Sequence, residues 1–187
     1  MDNTKSEQLV RMLIGNIGED VSRDGLYETP QRVSKSWSEL YSGYDKTPND
    51  VLKWFKDDTG EMVVIRNVKF FSTCEHHMLP FFGRVDIGYI PNGKIVGVSK
   101  LARLVHIYSR RLQVQERLAR QIGEALEKDT KGVAVHVSGK HLCMMARGVQ
   151  QTESEMETNY MTGIFRALDN SDNKHISARA EFMNRIK

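Results

Sequence analysis

Cysteine is scarce. The 187 residues carry two, Cys74 and Cys143, too few for the disulfide framework of a secreted domain. Long apolar runs are missing as well. No segment approaches about 18 consecutive apolar residues, so no membrane-spanning helix is expected. The opening MDNTKSEQLVRML has no apolar core of signal-peptide length. A cytoplasmic protein with two reduced thiols is the expectation. Charge of one sign is also lacking: 27 Lys and Arg against 24 Asp and Glu leave a formal net charge of +3. That is too small and too mixed to make nucleic acid the main partner, and a membrane surface is no better supported. Internal repeats and low-complexity tracts are absent. What is present, 40% hydrophobic and 27% charged residues, is the composition of a globular protein. A chain of this length buries roughly 70% of its unfolded surface, enough for a core without staples.

The first sixty residues read as helical. Leu9, Met12, Leu13 and Ile17 recur at helical spacing. Thr29-Pro30 is a helix start, because Thr can cap and Pro suits the first helical position. Val33, Trp37, Leu40 and Tyr41 follow as an apolar stripe, stopped by Gly43. Thr47-Pro48 repeats the start signal before Val51, Leu52 and Phe55. From residue 61 the period changes. Residues 62–71 and 81–90 read as strands, and Pro91-Asn92-Gly93 is a turn into a further strand, 94–98. Leu101, Leu104, Val105 and Tyr108 mark one helix; Leu118, Ile122 and Leu126 mark another. Residues 132–138 alternate as a half-buried strand, and 141–149 is expected to be its hairpin partner. A short helix is expected over 176–186. The layout predicts an α+β domain with an antiparallel sheet backed by helices.

Three groups of residues carry chemistry. The first is Cys74-Glu75-His76-His77, between two strands. Cys74 and His77 are three apart, a spacing that lets a tight loop present both to one ion. Cys143 is the other thiol, and in an extended 141–149 segment it shares a face with His141, Met145 and Arg147. Cys74, His77 and Cys143 would make a Cys2His set, the three-ligand arrangement of catalytic zinc with its open fourth position. His76 and His141 would then be free imidazoles suited to proton transfer. The same thiols also fit two buried cysteines, a structural four-ligand site, or a disulfide, which a reducing cytosol disfavours. The spacing matches no zinc-finger pattern, and the cytosine-deaminase signature is absent.

The second group is Ser99-Lys100-x-x-Arg103, at a strand-to-helix junction. Lys100 and Arg103 share a helical face near an N-terminus, whose free N–H groups favour anions such as phosphate; a solvated basic face is the plainer alternative. Arg147 would add a cation, and Arg32 and Lys35 are another basic pair at helical spacing. The third is Gln115-Glu116. A carboxylate there can accept two hydrogen bonds from the N1–H and 2-amino group of a guanine, although exposed helical glutamates are common. His106, His136 and His175 read as structural or surface residues.

Four stretches resemble GTP cyclohydrolase I in sequence and order: residues 74–77 (CEHH), 97–103 (GVSKLAR), 113–118 (QVQERL) and 141–149 (HLCMMARGV). Residues 18–20 (GED) and 29–35 (TPQRVSK) look like the same family's helical N-terminal region. The resemblance runs from about residue 10 to about 168. It implies hydrolytic opening of the imidazole ring of GTP, release of formate from C8, and reclosure to 7,8-dihydroneopterin triphosphate. It implies a tunnelling fold, with residues 1–60 as a helical region and 61–187 as the catalytic domain of one functional unit. It further implies a homodecamer of two stacked pentamers with sites at subunit interfaces. By the same resemblance Cys74, His77 and Cys143 are zinc ligands, and His141 is the acid that protonates N7. His76 is a second histidine near the reacting carbon. Gln115 and Glu116 recognise guanine. Ser99, Lys100, Arg103 and Arg147 bind triphosphate, joined by Arg32 and Lys35. The chain departs from the family over residues 150–161 (QQTESEMETNYM), where the usual run is small and rich in Ser and Thr.

Overall fold

The structure, a computed structural model, describes residues 2–57, 59–166 and 177–187. It divides into two units, Met1–Ser42 and Gly43–Lys187.

The first unit pairs α1 (Asn3–Asn16) with α2 (Thr29–Leu40). Asp2 caps α1 by accepting from the Lys5 N–H at 3.2 Å. Pro30 lies in the first turn of α2, where its missing N–H costs no helical bond. The Ser34 hydroxyl, 1% exposed, donates to the Asn3 carbonyl at 3.1 Å and ties the helices together. The buried residues of α1 are Ser6, Val10 and Ile14. Of the expected stripe, Leu9, Met12 and Leu13 lie on α1 and Ile17 just past its end, but this is not the buried face; those residues are 56–70% exposed.

Two short 3-10 turns come next, Ser42–Asp45 at the boundary and Pro48–Asp50 within the second unit. The helix expected after Thr47-Pro48 is therefore a single turn. The Asp50 carboxylate closes it by accepting from Thr47 N and Oγ1 at 2.7 and 2.8 Å. The chain then extends as β1 (Trp54–Lys56), because Trp54, Phe55 and Lys56 have an antiparallel partner ahead.

Next come β2 (Val63–Cys74), β3 (Pro80–Pro91) and β4 (Lys94–Val96), then α3 (Val98–Ser109), β5 (Leu112–Gln113) and α4 (Gln115–Glu127). The last elements are β6 (Thr130–His141), α5 (Leu142–Met145), β7 (Met156–Met161) and α6 (Ala178–Arg185). β4 pairs with β1 in a separate ribbon. The main sheet has the order β5-β2-β3-β6-β7, antiparallel except for the parallel β5–β2 edge.

Strand alternation builds two layers. Val133, Val135 and Val137 of β6 join Val85, Ile87 and Tyr89 of β3 in the core beneath α3 and α4. The helices supply Leu101, Leu104 and Val105, and Leu118, Ile122 and Leu126, the repeats visible in the sequence. Burying each such aliphatic side chain contributes about 1.5–3 kcal/mol. On the opposite face Phe165 and Phe182 cover Ala134. Gly88 has to be glycine there, since a Cβ would meet the Phe182 ring at 2.5 Å. A bulge between Ile65 and Val68 puts Asn67 at φ 59°, and its N–H donates to the buried Asp86 carboxylate at 2.7 Å.

The strand expected over residues 141–149 is not formed. β6 ends at His141 and the chain turns into α5, with the Ala146 N–H bonded to the Leu142 carbonyl at 2.9 Å. Leu142-Cys143-Met144-Met145 has no alternation to commit it to a sheet. The true partner of β6 is β7, reached through left-handed Gly148 and Gln150. Met156, Thr158 and Tyr160 of β7 are half-buried, while Glu157 and Asn159 are exposed. The glutamates before it have partners: Glu155 pairs with Arg84 and accepts from Ser138, and Glu153 lies 3.8 Å from Lys140. The C-terminal helix begins at Ala178; His175 and Ile176 lie outside the described residues. No helix among the described residues is long and apolar enough to cross a membrane.

Candidate active site

The ends of β2, β3 and β6 converge where Thr73 opposes Pro80 and Phe81 opposes His141. Cys74 ends β2. Its N–H donates to the Leu79 carbonyl and its carbonyl accepts from the Met78 N–H, both at 2.8 Å, with Met78 at φ 54°. This closes a tight loop that turns His77 back toward Cys74. Cys143 arrives from the other side of β3 on α5. The sulfurs of Cys74 and Cys143 and a ring nitrogen of His77 all lie within 4.8 Å of one another. Cys74 is buried, Cys143 half-buried and His77 exposed, so the set is open on one side. Both cysteines are free thiols. Burial and the adjacent Cys74 thiol push the Cys143 thiol up: two sulfurs this close resist ionising together unless a cation joins them. Two thiols and an imidazole suit zinc, whose S and N ligands stand roughly 3.3–4 Å apart in a tetrahedron. Arg147 Nη1 lies 3.2 Å from His77 Nε2, so the guanidinium borders the same group.

His141 follows from the end of β6. Its ring lies flat on Phe81, the residue opposite it, at 4.6 Å and 7°. Its Nε2 meets Gln115 Oε1 at 3.0 Å. The Gln115 amide nitrogen, with two hydrogens to give, is surrounded by Val137 O, Met156 O and Thr158 Oγ1 at 3.0, 2.8 and 2.9 Å. These acceptors fix which way the amide faces, so Oε1 accepts and His141 Nε2 carries the proton. The Nδ1 of the neutral ring keeps its lone pair. Burial pulls the His141 pKa below the usual imidazole value, and Glu116 opposes that pull. Gly139 leaves room for this contact; a Cβ there would come within 2.8 Å of Gln115 Oε1.

Gln115, 1% exposed, is thus occupied inside the fold, whereas Glu116 beside it is exposed in the first turn of α4. His76 is exposed, with Nδ1 3.9 Å from the Cys74 sulfur. The structure therefore gathers Cys74, His76, His77, Cys143, Arg147, His141 and Gln115 at one end of the sheet. Ser99, Lys100 and Arg103 stand elsewhere, in the first two turns of α3. That helix starts beside Tyr89, whose hydroxyl accepts from the Val96 N–H at 3.1 Å. It ends where Leu112 pairs with Thr73. Its 12 residues span about 18 Å, which separates the basic turn from the thiols within one chain. Arg32 and Lys35 are exposed on α2 of the first unit, with Arg32 bonded to Glu28 at 2.8 Å.

The family model for GTP cyclohydrolase I matches residues 6–186. The chain belongs to the GTP cyclohydrolase I family. Named relatives in this family agree along their whole lengths. "GTP cyclohydrolase 1" of Methylococcus capsulatus is 47% identical over 96% of both chains. That of Wolinella succinogenes is 45% identical, over 97% of this chain and 95% of its own. That of Helicobacter pylori is 45% identical, over 97% and 99%.

Several residues of this family member's site escaped the sequence reading. Phe81 reads as an ordinary core aromatic, yet it is the platform for His141. Glu75 and Arg117 stand inside quoted motifs, but their ion pair joins positions 42 residues apart. No local pattern announces such a pairing. The buried role of Gln115 was hidden for the same reason: its acceptors come from β6 and the start of β7.

Proposed function

We propose that this chain is a zinc-dependent GTP cyclohydrolase I, converting GTP to formate and 7,8-dihydroneopterin triphosphate. The observation that carries this is the joining of Cys74, His77 and Cys143 within 4.8 Å, with His141 presented beside them on Phe81. Zinc held by these three residues supplies a Lewis acid that activates water near neutral pH.

The chain's own residues do the rest. The Glu116 carboxylate accepts from N1–H and the 2-amino group, which orients the base. His141, as imidazolium, gives the Nδ1 proton to purine N7, and protonated N7 makes C8 electrophilic toward water. Burial makes this imidazolium a stronger acid. Its Nε2–H stays with Gln115 throughout, so we assign Gln115 to holding His141 and leave direct guanine recognition to Glu116. Ring opening at C8 leaves a formamide, whose hydrolysis releases formate. His76 serves the proton transfers of ribose rearrangement and reclosure. Ser99, Lys100, Arg103 and Arg147 bind the triphosphate, and Arg32 and Lys35 add to that set.

A tunnelling fold in a decamer of two stacked pentamers fits this reading. The basic turn of α3 stands a helix length from the thiols of its own chain, so another subunit supplies it to each site. The exposed stripe Leu9, Met12, Leu13 and Ile17 is apolar surface suited to burial between copies. Two free thiols in the site favour the reducing cytoplasm.

Two substitutions test the roles. Cys143→Ala is expected to lose bound zinc and formate release together. His141→Ala is expected to keep zinc and lose formate release; full activity in that variant would remove His141 as the acid.

A further inference from the structure

Glu75 sits between Cys74 and His77, yet its carboxylate is committed to another element. Both oxygens meet Arg117: Nη1 to Oε2 at 2.5 Å and Nη2 to Oε1 at 2.9 Å. The Glu75 N–H adds a bond to the Gln113 carbonyl at 3.0 Å. Arg117 is the third residue of α4, next to Glu116. The two side chains keep 32–35% of their surface in solvent. An ion pair so exposed adds little to stability. What a two-pronged guanidinium–carboxylate contact does supply is a fixed distance and a fixed plane. Here it joins the loop carrying two candidate metal ligands to the turn carrying Glu116.

We propose that Glu75 and Arg117 are positioning residues that set the span between the metal loop and Glu116. A guanine held by Glu116 then presents C8 to the Cys74–His77–Cys143 centre. This rests on the function proposed above. Neither residue touches the substrate; they act through the two segments they join. A displacement near 1 Å at a reacting centre can cost about 100-fold in rate, so the pair should govern kcat and leave substrate affinity alone.

The test uses the full-length, zinc-loaded protein with Glu75→Gln, Arg117→Lys and the double variant. Glu75→Gln keeps the shape and loses one prong; Arg117→Lys keeps the charge and loses the fork. Each is expected to retain the zinc content and GTP KM of the parent within about threefold, while kcat falls about 10–100-fold. The double variant should fall no further than the worse single, because both break one device. A second readout is independent of turnover. In the cobalt(II)-substituted protein the visible spectrum should match the parent without nucleotide, and its change on adding GTP should be lost. Unchanged kcat, a rise in KM alone, loss of the metal, or fully multiplicative losses in the double variant would each overturn the proposal. An inactive parent would overturn the assigned function first, and the positioning role with it.

Discussion

Gln115→Met is the perturbation that probes the fold and the acid together. Methionine is close to glutamine in volume, so little cavity is created. The change removes the donor shared by Val137 O, Met156 O and Thr158 Oγ1, and the acceptor that holds His141 Nε2. Thr158 can turn its hydroxyl elsewhere; the two main-chain oxygens cannot move without the strands. An unpaired buried acceptor costs about 1–3 kcal/mol, so two give roughly 2–4 kcal/mol after partial relaxation. At about 2–4 °C per kcal/mol for a chain of this size, the melting temperature should fall by roughly 4–16 °C. Far-UV circular dichroism at fixed protomer and zinc concentrations would read it. His141 keeps its Phe81 platform but loses its orienting partner. Formate release should drop by roughly 10–100-fold, the range for losing a group that orients a functional histidine. A melting temperature within about 2 °C of the parent, with unchanged formate release, would refute the reasoning.

Other substitutions follow from the same geometry. Gly139→Ala should lower melting temperature and formate release together, because its Cβ falls 2.8 Å from Gln115 Oε1; a change in neither would mean that the side chain moves aside freely. Phe182→Ala should cost about 3–5 kcal/mol and expose α6 to limited proteolysis, since the ring fills the space over Gly88; an undiminished melting temperature would count against that packing. Desolvation at the end of α3, with Arg110 and Lys46, holds His106 below its ordinary 6.5. The unfolded chain therefore binds that proton more tightly, and stability falls as pH drops below 6.5. His106→Gln should flatten the fall in melting temperature between about pH 7 and 5, and an unchanged slope would contradict this.

The elements legible in sequence were those with a clean period. Residues 132–138 alternate as a strand should, and Leu118, Ile122 and Leu126 repeat as a helix should; both lie in the core. The pairing of Cys74 with His77 was legible because the two are close in sequence. Period failed where a stretch is uniformly apolar: residues 142–145 offered no way to tell a helical turn from a strand. It also misjudged which face of α1 is buried, because small Ser6 belongs to the buried set while larger Leu9, Met12 and Leu13 do not. Contacts between distant elements left no local trace. The Gln115–His141 bond joins residues 26 apart, and the Phe81 platform exists only through the β3–β6 register.

The most direct test of the central claim is formate release from GTP by the metal-analysed parent, followed with and without a chelator. The account predicts formate with an equal amount of fluorescent neopterin triphosphate after oxidation, abolished by chelation and restored by zinc. Bound zinc and bound GTP without formate would contradict it.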